Sequence, residues 1–119
     1  MPSGRPRVLI VEDELLVAME LAGTLERSGY RVLGPAPSVQ RALAILEDER
    51  PDGALLDVNL RGERVTPVAK ELRARSVPYV LVTAFNPAAF AEPELRSVPV
   101  VRKPISDDEE VVRALEGVL

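Results

Sequence analysis

Five short apolar runs, rich in β-branched residues, recur along the chain with room for a helix between each pair: Val8–Val11, Arg31–Leu33, Ala54–Leu56, Tyr79–Val82 and Val98–Val101. Runs that are apolar at nearly every position, rather than at alternate ones, suit strands buried on both faces. Alternated with helices, they predict an α/β fold: a doubly wound, five-stranded parallel sheet covered on both sides. The segments between have helical period. One is expected from Glu14 to Arg27, with Leu15, Met19, Ala22 and Leu25 on its buried face and Gly29 just past its end. A second runs from Val39 to Glu49 with Ser38 as cap, and a third opens with Thr66 as cap and Pro67 as its first helical residue. The fifth opens with the capping box Ser106-Asp107-Asp108-Glu109 and buries Val111, Val112, Leu115 and Val118. Of the 11 prolines, Pro35, Pro37, Pro51, Pro78, Pro99 and Pro104 are expected to flank strands, whereas Pro87 and Pro93 divide the stretch from Ala84 to Ser97. The fourth of the five helical segments is therefore expected to be short or broken. Residues 1–6 read as a flexible tail and 7–119 as one domain.

The absence of cysteine and histidine removes disulfide scaffolds, thiolate and imidazole metal centres and Ser-His-Asp catalysis, so any metal must be held by oxygen. A net charge of -4 with scattered basic residues, and only Tyr30, Tyr79, Phe85 and Phe90 as aromatics, argues against a direct nucleic-acid partner. No apolar run approaches the ~18 residues of a membrane span, and Met-Pro-Ser-Gly-Arg-Pro lacks a signal peptide's apolar stretch. A cytoplasmic protein without membrane contact is expected.

Open parallel sheets bind ligands beyond the carboxyl ends of their strands. The residues standing there are Glu12 and Asp13 after the first run, Asp57 after the third, Thr83 after the fourth and Lys103 after the fifth. Singly, each has an ordinary explanation: Asp13 as a turn former or cap, Thr83 as a β-branched strand residue, Lys103 as a surface charge and Asn59 as a turn residue. Asp57 is harder to dismiss, because it directly follows Ala54-Leu55-Leu56 and sets a charge against a buried strand. Three acids on one edge should repel each other and raise a pKa, unless a hard divalent cation or Lys103 offsets them.

In Val-Glu-Asp-Glu after the first run, Leu-Leu-Asp-Val-Asn-Leu at the third, Val-Thr-Ala at the fourth and Arg-Lys-Pro-Ile after the fifth, the chain resembles the receiver domains of two-component response regulators, from Val8 to Val118. The resemblance implies a flavodoxin-like strand order 2-1-3-4-5. It implies that Asp57 accepts a phosphoryl group from a sensor histidine kinase or a histidine phosphotransfer protein. Glu12, Asp13 and Asp57, with the backbone carbonyl of Asn59, would bind Mg²⁺. Thr83 would hydrogen-bond the phosphoryl oxygens and Lys103 would pair with them, with the Lys103-Pro104 bond cis. On this basis the chain is not a turnover enzyme but a receiver that catalyses its own Mg²⁺-dependent phosphorylation and dephosphorylation to control a downstream protein. A weak homodimer is compatible with the sequence.

Phe85, Pro104 and Val101 are the modulating positions. Phe85 by itself reads as a core residue, although at that position receivers shape water access to the phosphoryl group. Val101 stands where receivers commonly carry Phe or Tyr, so the signal is expected to leave through the backbone of Ala84–Ser97, the segment expected to be most mobile. Two other readings stay open. A phosphatase of the haloacid dehalogenase type would need a paired Asp-x-Asp after the first strand, which Glu12-Asp13 does not supply; a non-phosphorylated interaction module would keep the fold without the chemistry. No output domain follows the fifth helix within these 119 residues, so the expectation is a stand-alone receiver or one excised from a longer protein.

Overall fold

A computed structural model describes residues 4–86 and 89–119. The part of the expected tail at residues 1–3, and the helix-dividing role of Pro87, lie outside the described residues. In chain order the elements are β1 (Arg7–Val11), α1 (Leu15–Arg27), β2 (Arg31–Ala36), α2 (Val39–Asp48), β3 (Gly53–Leu56), β4 (Asn59–Leu60), β5 (Glu63–Arg64), α3 (Thr66–Ala74), β6 (Tyr79–Thr83), β7 (Val100–Arg102) and α4 (Asp108–Glu116). Five of the strands form one parallel sheet in the order β2-β1-β3-β6-β7. Counting only those strands, this is the expected 2-1-3-4-5.

Successive strand residues point to opposite faces, and the two cores divide accordingly. Leu9, Val11, Ala54, Leu56, Tyr79 and Leu81 pack against α2 and α3, while Val8, Ile10, Leu55, Val80 and Val82 pack against α1 and α4. Leu81 lies on a central strand with none of its surface exposed. Leu81→Ala should destabilise the fold by ~2–5 kcal/mol, read from chemical denaturation, because close-packed strands cannot collapse fully around the lost atoms.

Several local expectations need correction. In α1 the buried stripe is Ala18, Leu21, Thr24 and Leu25. Leu15 and Met19, placed on the buried face by sequence, are 72% and 60% exposed, and Leu16 is exposed beside them. Two apolar stripes of the same period compete on this helix, and the one carrying the small Ala18 faces the sheet. Thr66 is the first helical residue of α3 rather than its cap, and its hydroxyl lies 3.2 Å from the Glu92 carboxylate. At α4, Asp107 rather than Ser106 accepts the capping bond, from the Glu109 amide. Ser38 caps α2 as expected. Pro35 lies within β2, on the sheet's edge, where the register shifts between Leu9 and Val11 and a proline costs no ladder bond on the open side. The last strand begins at Val100, because Pro99 has no amide to donate, although its carbonyl still accepts from Leu81.

Two features lie between the long elements. Among the described residues, the fourth helical segment includes a 3₁₀ turn, Pro93–Leu95, anchored by buried Leu95 and by the Tyr79 hydroxyl donating to the Glu94 carbonyl (2.6 Å). Directly after Asp57 the chain folds into an unforeseen hairpin, with Asn59 opposite Arg64 and Leu60 opposite Glu63. Its two turn residues, Arg61 and Gly62, have φ of 52° and 84°, the left-handed pair of a type I′ turn.

Candidate functional site

β1, β3, β6 and β7 all end at one edge, and the polar residues that follow them meet there. Asp57 comes one residue after β3 and is 7% exposed. One of its carboxylate oxygens, Oδ2, lies 3.1 Å from the Lys103 ammonium, and the other accepts the Asn59 amide at 3.4 Å. Lys103 also reaches Glu12 Oε1 at 2.7 Å and Glu14 Oε1 at 3.3 Å. Carboxylate oxygens of Glu12, Asp13 and Asp57 all lie within 4.8 Å of one another. Thr83, fully buried at the end of β6, accepts the Phe85 amide at its hydroxyl oxygen (3.1 Å), while its carbonyl accepts the Lys103 amide (2.9 Å). The Lys103-Pro104 peptide is cis.

The charges in this cluster are not balanced. Burial pushes the Glu12 carboxyl up to about 7; contact with Lys103 and the Glu14 amide oppose the rise, and repulsion from Asp57 adds to it. Burial works against the Lys103 charge as well, but its close contacts with the Glu12 and Asp57 carboxylates outweigh it and hold the ammonium above its usual range. One ammonium is shared among three acids, and buried Glu12 Oε1, close to it, makes no well-directed hydrogen bond. That oxygen and the adjacent carboxylates fit a hard divalent cation, which favours oxygen ligands.

All the strand-end residues singled out from sequence are thus gathered at one edge, except that Asn59 adjoins Asp57 through its amide and its side chain is exposed. Among the modulating positions, Val101 is buried in the core and Phe85 is half exposed (50%), contrary to a core role, because it sits on the loop beyond β6 rather than under a helix. Sequence reasoning missed Glu14 as a third partner of Lys103, and Arg61, whose Nε lies 3.9 Å from Asp13 Oδ2. The Arg-Gly pair at the turn was the available signal for the latter.

A sheet wound this way, gathering carboxylates, a hydroxyl and an ammonium at its carboxyl edge, suits a phosphoryl group together with a cation. The chain belongs to the response regulator receiver domain family, whose model matches residues 8–116. It is similar over 98% of its own length, and 98% of the other chain's, to the solution structure of SdrG from Sphingomonas melonis Fr1, at 41% identity and a TM-score of 0.83. The receiver domain of PhyR from Erythrobacter litoralis is similar at 27% identity and a TM-score of 0.81, covering 93% of this chain and 87% of that one. Among curated relatives, the sensory transduction protein LytT of Bacillus subtilis is 34% identical over 92% of this chain and 46% of its own length. The transcriptional regulatory protein PdtaR of Mycobacterium tuberculosis is 36% identical over 72% of this chain and 42% of its own length. The chain thus spans under half the length of these two relatives. Receivers of this family signal through phosphorylation, bind Mg²⁺ at an acidic pocket and interact with histidine kinases and downstream effectors.

Proposed function

We infer that Asp57 is the phosphoryl acceptor of this receiver, with Glu12, Asp13, Asp57 and the Asn59 carbonyl holding Mg²⁺. The observation that carries this is the position of the Asp57 carboxylate, buried, paired with Lys103 and grouped with two further acids. In the step proposed, an Asp57 oxygen attacks phosphorus in line. The P–N bond of a phosphohistidine, or the P–O bond of a small phosphodonor, breaks with its electron pair leaving on the donor. Lys103, already against Asp57, pairs with the transferring oxygens. Thr83 accepts the Phe85 amide at its oxygen, so its hydroxyl proton is available for a phosphoryl oxygen. When bound, Mg²⁺ supplies further positive charge against those oxygens.

The donor on this reading is a sensor histidine kinase or histidine phosphotransfer protein. Exposed Leu15, Leu16 and Met19 give α1 an apolar outer surface, and a shallow groove between Glu14, Val17, Lys103 and Ile105 lies beside the site; both suit a helix bearing the histidine. A downstream protein would read the 84–119 face, whose Lys103 and Ile105 border that groove. Incubation with acetyl phosphate and Mg²⁺ should add one labile phosphoryl group by intact mass, and excess EDTA should prevent it; a protein that takes up none under either condition is not a phosphorylated receiver.

Asp13→Ala should weaken Mg²⁺ binding by ~10-fold or more, measured by titration, since a short carboxylate at the edge of the cluster is a direct ligand. Affinity in the wild type should also fall as pH is lowered through about 7, where Glu12 takes up a proton that competes with the ion. Equal affinity in both proteins, or none of this pH dependence, would exclude the site.

A further inference from the structure

Between the acceptor loop and the 89–95 segment runs a continuous set of contacts centred on Arg64. This side chain leaves the hairpin opposite Asn59, two residues from Asp57, and the hairpin is anchored by buried Leu60 and by the Val65 amide donating to the Val58 carbonyl (2.9 Å). The guanidinium carbon lies 4.8 Å from the centre of the Phe90 ring, and Nε lies 3.3 Å from Glu92, whose carboxylate also meets the Thr66 hydroxyl. Phe90 is buried in the core shared with α2 and α3, and Phe85 meets it edge-on at 6.4 Å between centroids. Phe85 in turn donates its amide to the Thr83 hydroxyl. A path therefore leads from Asp57 through Asn59, Arg64, Phe90 and Phe85 back to Thr83, joining both sides of the site through one ring stack.

We propose that Arg64 is a positioning residue: clasping Phe90 and Glu92, it holds the 89–95 segment and, through Phe85, the Thr83 hydroxyl, and phosphorylation opens this clasp. Resting on Asp57 as acceptor, the step works because a phosphoryl group draws Thr83 and its hydrogen-bonded partner Phe85 inward. That strips the edge contact from Phe90 and leaves Arg64 with an incomplete stack. An arginine is suited to the task, since its planar face covers a ring while its edge pairs with a carboxylate.

The test compares hydrogen exchange of the 89–95 amides in the wild type, Arg64→Ala and Arg64→Lys, free and with Mg²⁺ and beryllofluoride, with binding of the mimic followed separately by fluorine NMR. Free Arg64→Ala should exchange about fivefold faster than wild type in this segment, as expected for losing an exposed cation–π contact and ion pair, with β1 and α1 unchanged. The mimic should speed exchange in the wild type and add little in Arg64→Ala, although it binds both. Arg64→Lys keeps a charge for Glu92 without a planar face, and should restore protection only in part; full restoration would overturn the part given to Phe90. Identical exchange in wild type and Arg64→Ala, or an equal response to bound mimic in both, would overturn the clasp. Should the mimic fail to bind the wild type, the acceptor reading falls and the opening step with it, while the free-state comparison still decides whether Arg64 holds the segment.

Discussion

Replacing Lys103 with methionine should destabilise the protein at pH 8 by about 3 kcal/mol, the scale of breaking a buried ion pair from one side. The side chain is 13% exposed and faces Glu12 and Asp57, with side-chain exposures of 1% and 9%, so its removal leaves two buried carboxylates without their shared cation. Methionine fills much the same volume, which isolates the charge from the packing. The loss should shrink as pH falls. Glu12 is raised to about 7 in the folded protein, so its contribution to stability is fully present below the unfolded value near 4.5 and is lost as pH rises through 7. Without Lys103 the carboxyl rises further, and taking up a proton relieves the repulsion. Millimolar Mg²⁺ should recover part of the loss at pH 8, by binding only the folded state. Denaturation midpoints at pH 6 and 8, with and without the ion, check each point; a loss independent of pH and of Mg²⁺ would mean that packing, not charge, is what Lys103 supplies.

Asp57→Asn should abolish phosphoryl uptake from acetyl phosphate entirely while changing stability by no more than about 1 kcal/mol. The amide keeps the shape of the carboxylate, and its one oxygen can still accept from Lys103, so the variant gives up only the longer 3.4 Å bond from the Asn59 amide. What is lost is the anionic nucleophile, and an amide oxygen does not form a stable bond to phosphorus in its place. Mg²⁺ should bind more weakly as well, because one of three charged ligands becomes neutral. Intact mass after incubation with phosphodonor gives the answer directly, and undiminished modification of the variant would remove Asp57 from its role.

The main sheet was legible because its strands are apolar at nearly every position, a pattern that only two-sided burial explains. The strand-end residues followed from it, since a parallel sheet puts every carboxyl end on one edge. Legibility failed where local signals were ambiguous or too short. The helix α1 carries two apolar stripes, and only packing decides between Leu15-Met19 and Ala18-Leu21. Strands of two residues have no period to read, so the hairpin after Asp57 was invisible, and with it the approach of Arg61 to Asp13 and of Arg64 to Phe90. Thr66 has the chemistry of a cap, yet its hydroxyl faces Glu92, 26 residues away in sequence. Partnerships of that kind are set by tertiary proximity, which propensity does not encode.

That Asp57, and no other acid, carries the phosphoryl group is tested most directly by reductive trapping. Borohydride converts an aspartyl phosphate to homoserine, a permanent mark at the acceptor, which peptide mass mapping then places on a single residue. After phosphorylation with acetyl phosphate and Mg²⁺, homoserine should appear at position 57 alone. Homoserine at position 13 or 52, or none anywhere in a protein that had gained a phosphoryl group, would contradict the assignment of Asp57 as the acceptor.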